Sequence, residues 1–180
     1  MKNYIGEEIK NIKADHLWRS LSETSKWNAA EAVQDGKSLI NFSTNDYLGY
    51  SQHPEVIEAA ISAVKKYGTG GRSSRLISGT LDLHSELEKK LAAFKKTEAA
   101  LLFPSGFMAN LGVLSVLLGE GDAVIMDRLN HASLVDAAKL SKCRMFVYEH
   151  RSVSSLEKVR KRTGSYRKRP IVTDSLLSME

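Results

Sequence analysis

The residues best suited to chemistry lie in Ala99–Asn110, AALLFPSGFMAN. A short apolar run, Ala99–Phe103, stops at Pro104-Ser105-Gly106, and helical spacing resumes from Phe107 to Leu118. That pattern predicts a strand, a tight turn and a helix N-terminus. The first amides of a helix have no intrahelical partner, and the helix dipole favours negative charge there. Gly106 admits close backbone approach and Ser105 adds a hydroxyl, so the turn suits a phosphate. The same outline is also ordinary βα architecture, so by itself it does not specify a ligand.

The rest of the chain must position that turn. Residues 2–22 place Ile5, Ile9, Ile12, His16 and Leu17 on one helical face. A polar stretch, 23–37, ends in the turn signal Asp35-Gly36, and Ser38–Ser43 reads as a short strand. After the loop Asn45-Asp46-Tyr47-Leu48-Gly49, His53-Pro54 opens a helix with the stripe Val56, Ile57, Ala60, Ile61, Val64, ending at Gly68. A Gly/Ser-rich loop follows, then an amphipathic helix over 81–95 carrying Leu83, Leu87, Leu91 and Phe94. Beyond the opening stretch, strands are expected at 123–127, 144–148 and 170–173, and helices at 132–140 and 154–162. This alternation predicts an α/β fold with a parallel, helix-covered sheet. Ligands of such sheets sit beyond the carboxyl ends of the strands. Asp127–His131 and Asp174–Ser178 fall there, with Ser105-Gly106.

Composition narrows the class. At 180 residues the chain is one ordinary domain or a piece of a larger protein. Its 42% hydrophobic and 26% charged content is that of a globular protein. No apolar run approaches the roughly 18–20 residues that span a bilayer, and MKNYIGEEIK shows no signal-peptide apolar core. Cys143 stands alone, which excludes an internal disulfide or a cysteine-based metal cluster and fits a reducing cytoplasm. Residues 151–169 hold eight Lys/Arg against Glu157 alone and dominate the net charge of +5. With Tyr166 its single aromatic, this stretch reads as a solvated helix face and loop rather than a nucleic-acid surface.

Five motifs taken together carry a resemblance: Asn45–Gly49, SRLISGT from Ser74 to Thr80, SGFMAN from Ser105 to Asn110, NHASL from Asn130 to Leu134, and Val172-Thr173-Asp174 with Ser178-Met179. They resemble the α-oxoamine synthases, pyridoxal 5'-phosphate (PLP) enzymes of the aspartate-aminotransferase-like (type I) fold. The resemblance implies an N-terminal helix and strand segment at 1–44 and the first part of the PLP-binding large domain at 45–180. Gly106 and Phe107 would give backbone N–H groups to the cofactor phosphate. His131 would stack on the pyridine face and meet substrate, Ser178 would hydrogen-bond the cofactor, and Asn45 would lie near substrate or cofactor. Counting back from NDYLG places Arg19 at the family's carboxylate-binding arginine. A slip by one residue at Trp18-Arg19, or a plain solvent-exposed helix arginine, remains open there.

The implied chemistry is a decarboxylative Claisen-type condensation of an amino acid with an acyl thioester. The motifs most resemble the branch that joins L-alanine to pimeloyl-CoA or pimeloyl-acyl carrier protein in biotin biosynthesis. The 2-amino-3-ketobutyrate CoA ligase branch is the near alternative, and a non-catalytic binding module is the remaining one. Full-length members are homodimers. The family's Schiff-base lysine and its pyridine-binding aspartate, in an Asp-Glu-Ala-His strand, belong beyond Ser178-Met179. Neither context occurs in these 180 residues, so the chain alone is expected to be inactive, with Ala99–Phe103 short of strand partners. Three departures stand out: Arg72 at a position usually Gly, Pro104 in place of a small residue, and Glu180 in place of Asp.

Overall fold

The computed structural model describes residues 2–27 and 30–175. The chain divides into two compact units, Met1–Arg72 and Ser73–Glu180. The first unit takes in the helix that follows the NDYLG loop, while the resemblance implies a division at 44/45.

In the first unit, helix α1 covers Lys2–Ala14. It is shorter than the stripe predicts, because His16 turns left-handed (φ 56) and ends the ladder. Strands β1 (Thr24–Trp27), β2 (Glu31–Gln34) and β3 (Lys37–Ile40) form an antiparallel meander. Asp35 (φ 50) and Gly36 (φ 75) close the β2–β3 hairpin, with Gln34 opposite Lys37. Two successive positive-φ residues make a two-residue turn of the kind Asp-Gly favours. Helix α2 runs from Pro54 to Tyr67, as its stripe and proline predict. Arg72, at the position where the resemblance expects Gly, is left-handed (φ 60), and its guanidinium donates to the Tyr67 carbonyl at 3.0 Å.

The second unit contains α3 (Asp82–Lys95), α4 (Gly106–Leu117), β4 (Ala123–Asp127), α5 (Ala132–Leu140), β5 (Arg144–Tyr148), α6 (Val153–Arg162) and β6 (Ile171–Val172). Its parallel strands lie in the order β5-β4-β6, with Ala123 opposite Arg144 and Ile125 opposite Ile171. The chain leaves β4 to one side and returns on the other, so β4 is the switch point of the sheet. Every β4 residue is buried, which is why AVIMD reads as a continuous apolar run rather than an alternation. On one face Val124 and Met126 pack with Leu114 and Leu118, at the end of α4, and with Leu134, Ala137 and Ala138 of α5. On the other, Ile125 packs with Tyr148 and with Val159 of α6.

Asp122 closes the amino end of β4. It is wholly buried, accepts from the Gly119 amide at 3.0 Å, and takes two 2.8 Å hydrogen bonds from Arg167. Lys168 Nζ donates to the Leu117 carbonyl at 2.8 Å, and the Arg162 guanidinium lies 5.9 Å from the Phe146 ring centroid. Part of the basic stretch is thus structural rather than a solvated face.

Ala99–Phe103 is not a strand. Side chains take the backbone groups a ladder would use. Leu102 N–H donates to Glu88 Oε1 at 2.8 Å, and Arg75 Nη1 donates to the Leu102 carbonyl at 3.1 Å. Arg75 and Glu88 pair at 2.6 Å, and Glu88 is pulled down to about 2 by that guanidinium and the Leu102 amide. The Phe103 ring lies so close to α4 that a Cβ at Gly112 would approach it to 2.9 Å. In the SRLISGT loop, any side chain at Gly79 would collide with the Ser73 carbonyl. No helix among the described residues is long and apolar enough to cross a membrane.

Candidate functional site

The site begins at the N-terminus of α4. Ser105 caps the helix: its hydroxyl oxygen accepts from the Met108 amide at 3.2 Å, and its carbonyl accepts from Ala109 at 3.0 Å. The amides of Gly106 and Phe107 precede both of these bonds and face outward along the axis. Gly106 has an ordinary helical backbone, and apart from its chain neighbours and its own helix turn nothing among the described residues lies within 4 Å of where its Cβ would be. Nothing in the fold requires a glycine there. What its missing side chain provides is open access to two free N–H groups at the positive end of a helix dipole.

The second part of the site follows β4. His131 caps α5, with its ring Nδ1 accepting from the Ser133 amide at 3.1 Å and lying 2.7 Å from the Ser133 hydroxyl. Asn110, one turn along α4 from Gly106, donates to that same hydroxyl at 2.9 Å. Residues from α4 and α5 are therefore joined by side chains at the ligand-facing end. The main chain around His131 is anchored to β6 as well. His131 N–H donates to Asp174 Oδ2 at 2.8 Å, while Asn130 donates to the Val172 carbonyl at 2.9 Å and accepts from the Asp174 amide at 3.2 Å.

Across the sheet, the carboxyl end of β4 carries Asp127, 5% exposed. Its carboxylate accepts from the Leu129 amide at 2.9 Å and contacts His150 Nδ1 at 3.0 and 3.1 Å. Burial pushes Asp127 up, yet the Leu129 amide and the His150 ring outweigh it and hold the carboxyl below its ordinary range. Burial raises the neighbouring Tyr148 hydroxyl. Asp127, Tyr148, His150 and Thr173 line a largely apolar cavity of about 270 Å³ against α6.

Of the residues singled out from the sequence, Gly106, Phe107 and His131 thus belong to two packed helices of one unit. Ser178 lies outside the described residues. Arg19 and Asn45 belong to the first unit. Arg19 is exposed in an irregular segment after α1, not on a helix, and Asn45 is exposed with its side-chain oxygen 3.4 Å from the Tyr47 hydroxyl. The NDYLG loop is instead built on Asp46, which accepts from the Ser51 hydroxyl at 2.6 Å. Sequence reasoning assigned no role to Asn110, Ser133 or His150. A serine two residues after a cap histidine, and an asparagine one turn into the preceding helix, were the available signals.

Comparisons with known proteins bear on the family and the fold. The chain is 45% identical over 177 residues to 8-amino-7-oxononanoate synthase 1 of Bacillus subtilis (strain 168), covering 98% of this chain and 45% of the relative. It superposes on the serine palmitoyltransferase of Sphingomonas wittichii with a TM-score of 0.86 at 31% identity, over 98% of this chain and 45% of that one. A serine palmitoyltransferase from S. paucimobilis, solved with a bound PLP–myriocin aldimine, gives a TM-score of 0.84 at 32% identity, over 97% and 44%. The chain spans less than half the length of these relatives. Residues 37–180 match the aminotransferase class I and II family, and the chain belongs to it.

Proposed function

We propose that this chain supplies the cofactor-phosphate half of a PLP-dependent 8-amino-7-oxononanoate synthase, condensing L-alanine with a pimeloyl thioester, pimeloyl-CoA or pimeloyl-acyl carrier protein, in biotin biosynthesis. The observation that carries the reading is Gly106, a glycine that its own backbone does not need, open above two free amides. The 45% identity to the B. subtilis enzyme supports the choice of reaction. When bound, PLP serves as an electron sink for the amino-acid α-carbon. Gly106 and Phe107 would hold its phosphate through their N–H groups, with the α4 dipole favouring the dianion. His131 would lie against the ring plane, Ser178 would add a hydrogen bond, and Arg19 and Asn45 would meet the amino acid. The likeness to serine palmitoyltransferases supports a second reading, another α-oxoamine synthase with a different amino acid and acyl donor. The whole enzyme would act as a homodimer.

Equilibrium dialysis of the 180-residue chain against PLP and against pyridoxal tests the anchor. PLP should bind at least tenfold more tightly, and Gly106→Ala should erase that preference while leaving the fold intact, its stability unchanged or higher by up to about 1 kcal/mol. Equal binding of the two compounds would remove the reading. No single lysine should form a borohydride-reducible adduct, because the expected lysine segment is not among these residues. Supplying the remaining length of the B. subtilis relative in trans, with L-alanine and pimeloyl-CoA, tests the reaction through CO2 release.

A further inference from the structure

Among the described residues, His131 is held at one ring nitrogen only, Nδ1. Its Nδ1 accepts from the Ser133 amide at 3.1 Å and lies 2.7 Å from the Ser133 hydroxyl. The hydroxyl can donate to the ring because its oxygen already accepts from Asn110 Nδ2 at 2.9 Å. A nitrogen that accepts from an amide carries no proton in the neutral ring, so the proton resides on Nε2. Ser133 is 1% exposed, so water does not compete for its hydroxyl. Asp174 and Asn130 fix the main chain beneath the ring at 2.8 to 3.2 Å.

We infer that Asn110 and Ser133 are positioning residues that set the tautomer of His131, so that the ring keeps one donor, Nε2–H, available to a bound ligand. The direction of the relay matters: Asn110 donates to Ser133, and Ser133 donates to His131. Asn110 thereby couples the phosphate-binding helix α4 to the proton position on a ring carried by α5. The inference deepens the proposed function, since it makes His131 both a stacking surface and a fixed hydrogen-bond donor toward an acceptor oxygen of the amino-acid substrate.

Long-range proton–nitrogen correlation on the 15N-histidine-labelled chain reads the tautomer directly and requires no PLP. The unsubstituted chain should show the Nε2–H form of His131. Ser133→Ala retains the backbone amide but loses the hydroxyl, and should lower the ratio of Nε2–H to Nδ1–H by about five- to tenfold, the weight of one net hydrogen bond. Asn110→Asp is isosteric and reverses the relay: its carboxylate accepts the serine proton, turning a lone pair toward Nδ1 and favouring the Nδ1–H form by a similar factor. Ser133→Thr, which keeps the hydroxyl, should restore the original pattern. An Nδ1–H form in the unsubstituted chain, or an unchanged ratio in both Ser133→Ala and Asn110→Asp, would overturn the inference. A correct tautomer without PLP binding would instead remove the proposed function and leave the relay standing.

Discussion

A buried aspartate stands at each end of β4, Asp122 just before it and Asp127 as its last residue, and their surroundings differ in kind. Asp122, at the amino end, is neutralised by the permanently charged Arg167 in a two-bond fork, with the Gly119 amide completing its shell. Asp127, at the carboxyl end, meets a titratable ring, His150, beside a cavity, and its adjoining loop leads to His131. Both carboxyls are held below their ordinary range: Arg167 is the main cause at Asp122, while at Asp127 amide and imidazole hydrogen bonds overcome burial. One end is locked by a geometry that suits only structure. The other borders a cavity and the loop that carries His131, at the end where parallel sheets generally bind ligands.

The sharpest way to break that contrast is to remove the lock. Arg167→Met leaves Asp122 buried without its counter-charge, and thermal melts should show Tm falling by roughly 5–10 °C. Asp127→Asn should lower Tm by clearly less, because no fixed positive charge is left stranded. Equal losses would erase the distinction between the two ends.

Acid titration comes next in size. Asp122, Asp127 and Glu88 all have lowered folded-state values. Their stabilisation is therefore fully present above the unfolded carboxylate range and is lost as pH falls from about 4.5, the ordinary Glu value, toward about 2, the Glu88 value. Denaturant melts from pH 5 down to 2.5 should show a declining midpoint, and Glu88→Gln should flatten that decline. The smallest effect belongs to the other unit. Arg72→Gly removes a left-handed non-glycine residue but loses the bond to Tyr67, so the net change should stay within about 1 kcal/mol by the same melts.

The β4-to-β6 region was legible because each strand is a short apolar run and each helix carries its own stripe, so local pattern and tertiary placement agree. Elsewhere they part. Ala99–Phe103 has a strand's composition, but Glu88 and Arg75 reach its backbone first, and nothing local announces a competitor 14 and 27 residues away. β1 and β2 are too short and polar to show a period, although Asp35-Gly36 marked the turn that follows them. In the site, the helix start at Ser105-Gly106 was readable from a contiguous motif, but the Ser105 hydroxyl, expected to serve a phosphate, caps the Met108 amide. The link from Asn110 to Ser133 spans 23 residues and exists only once α4 and α5 pack.

The sheet order also imposes a timetable on synthesis. A ribosome releases β4 before either neighbouring strand, so the edge that pairs with β6 waits open while α5, β5 and α6 are translated. Parallel pairing of this kind closes late and leaves nascent chains sticky. The interval ends when Arg167 emerges to meet Asp122 and Ile171 follows opposite Ile125. For a growing chain, the counter-charge of Asp122 arrives only 45 residues later, with Arg167.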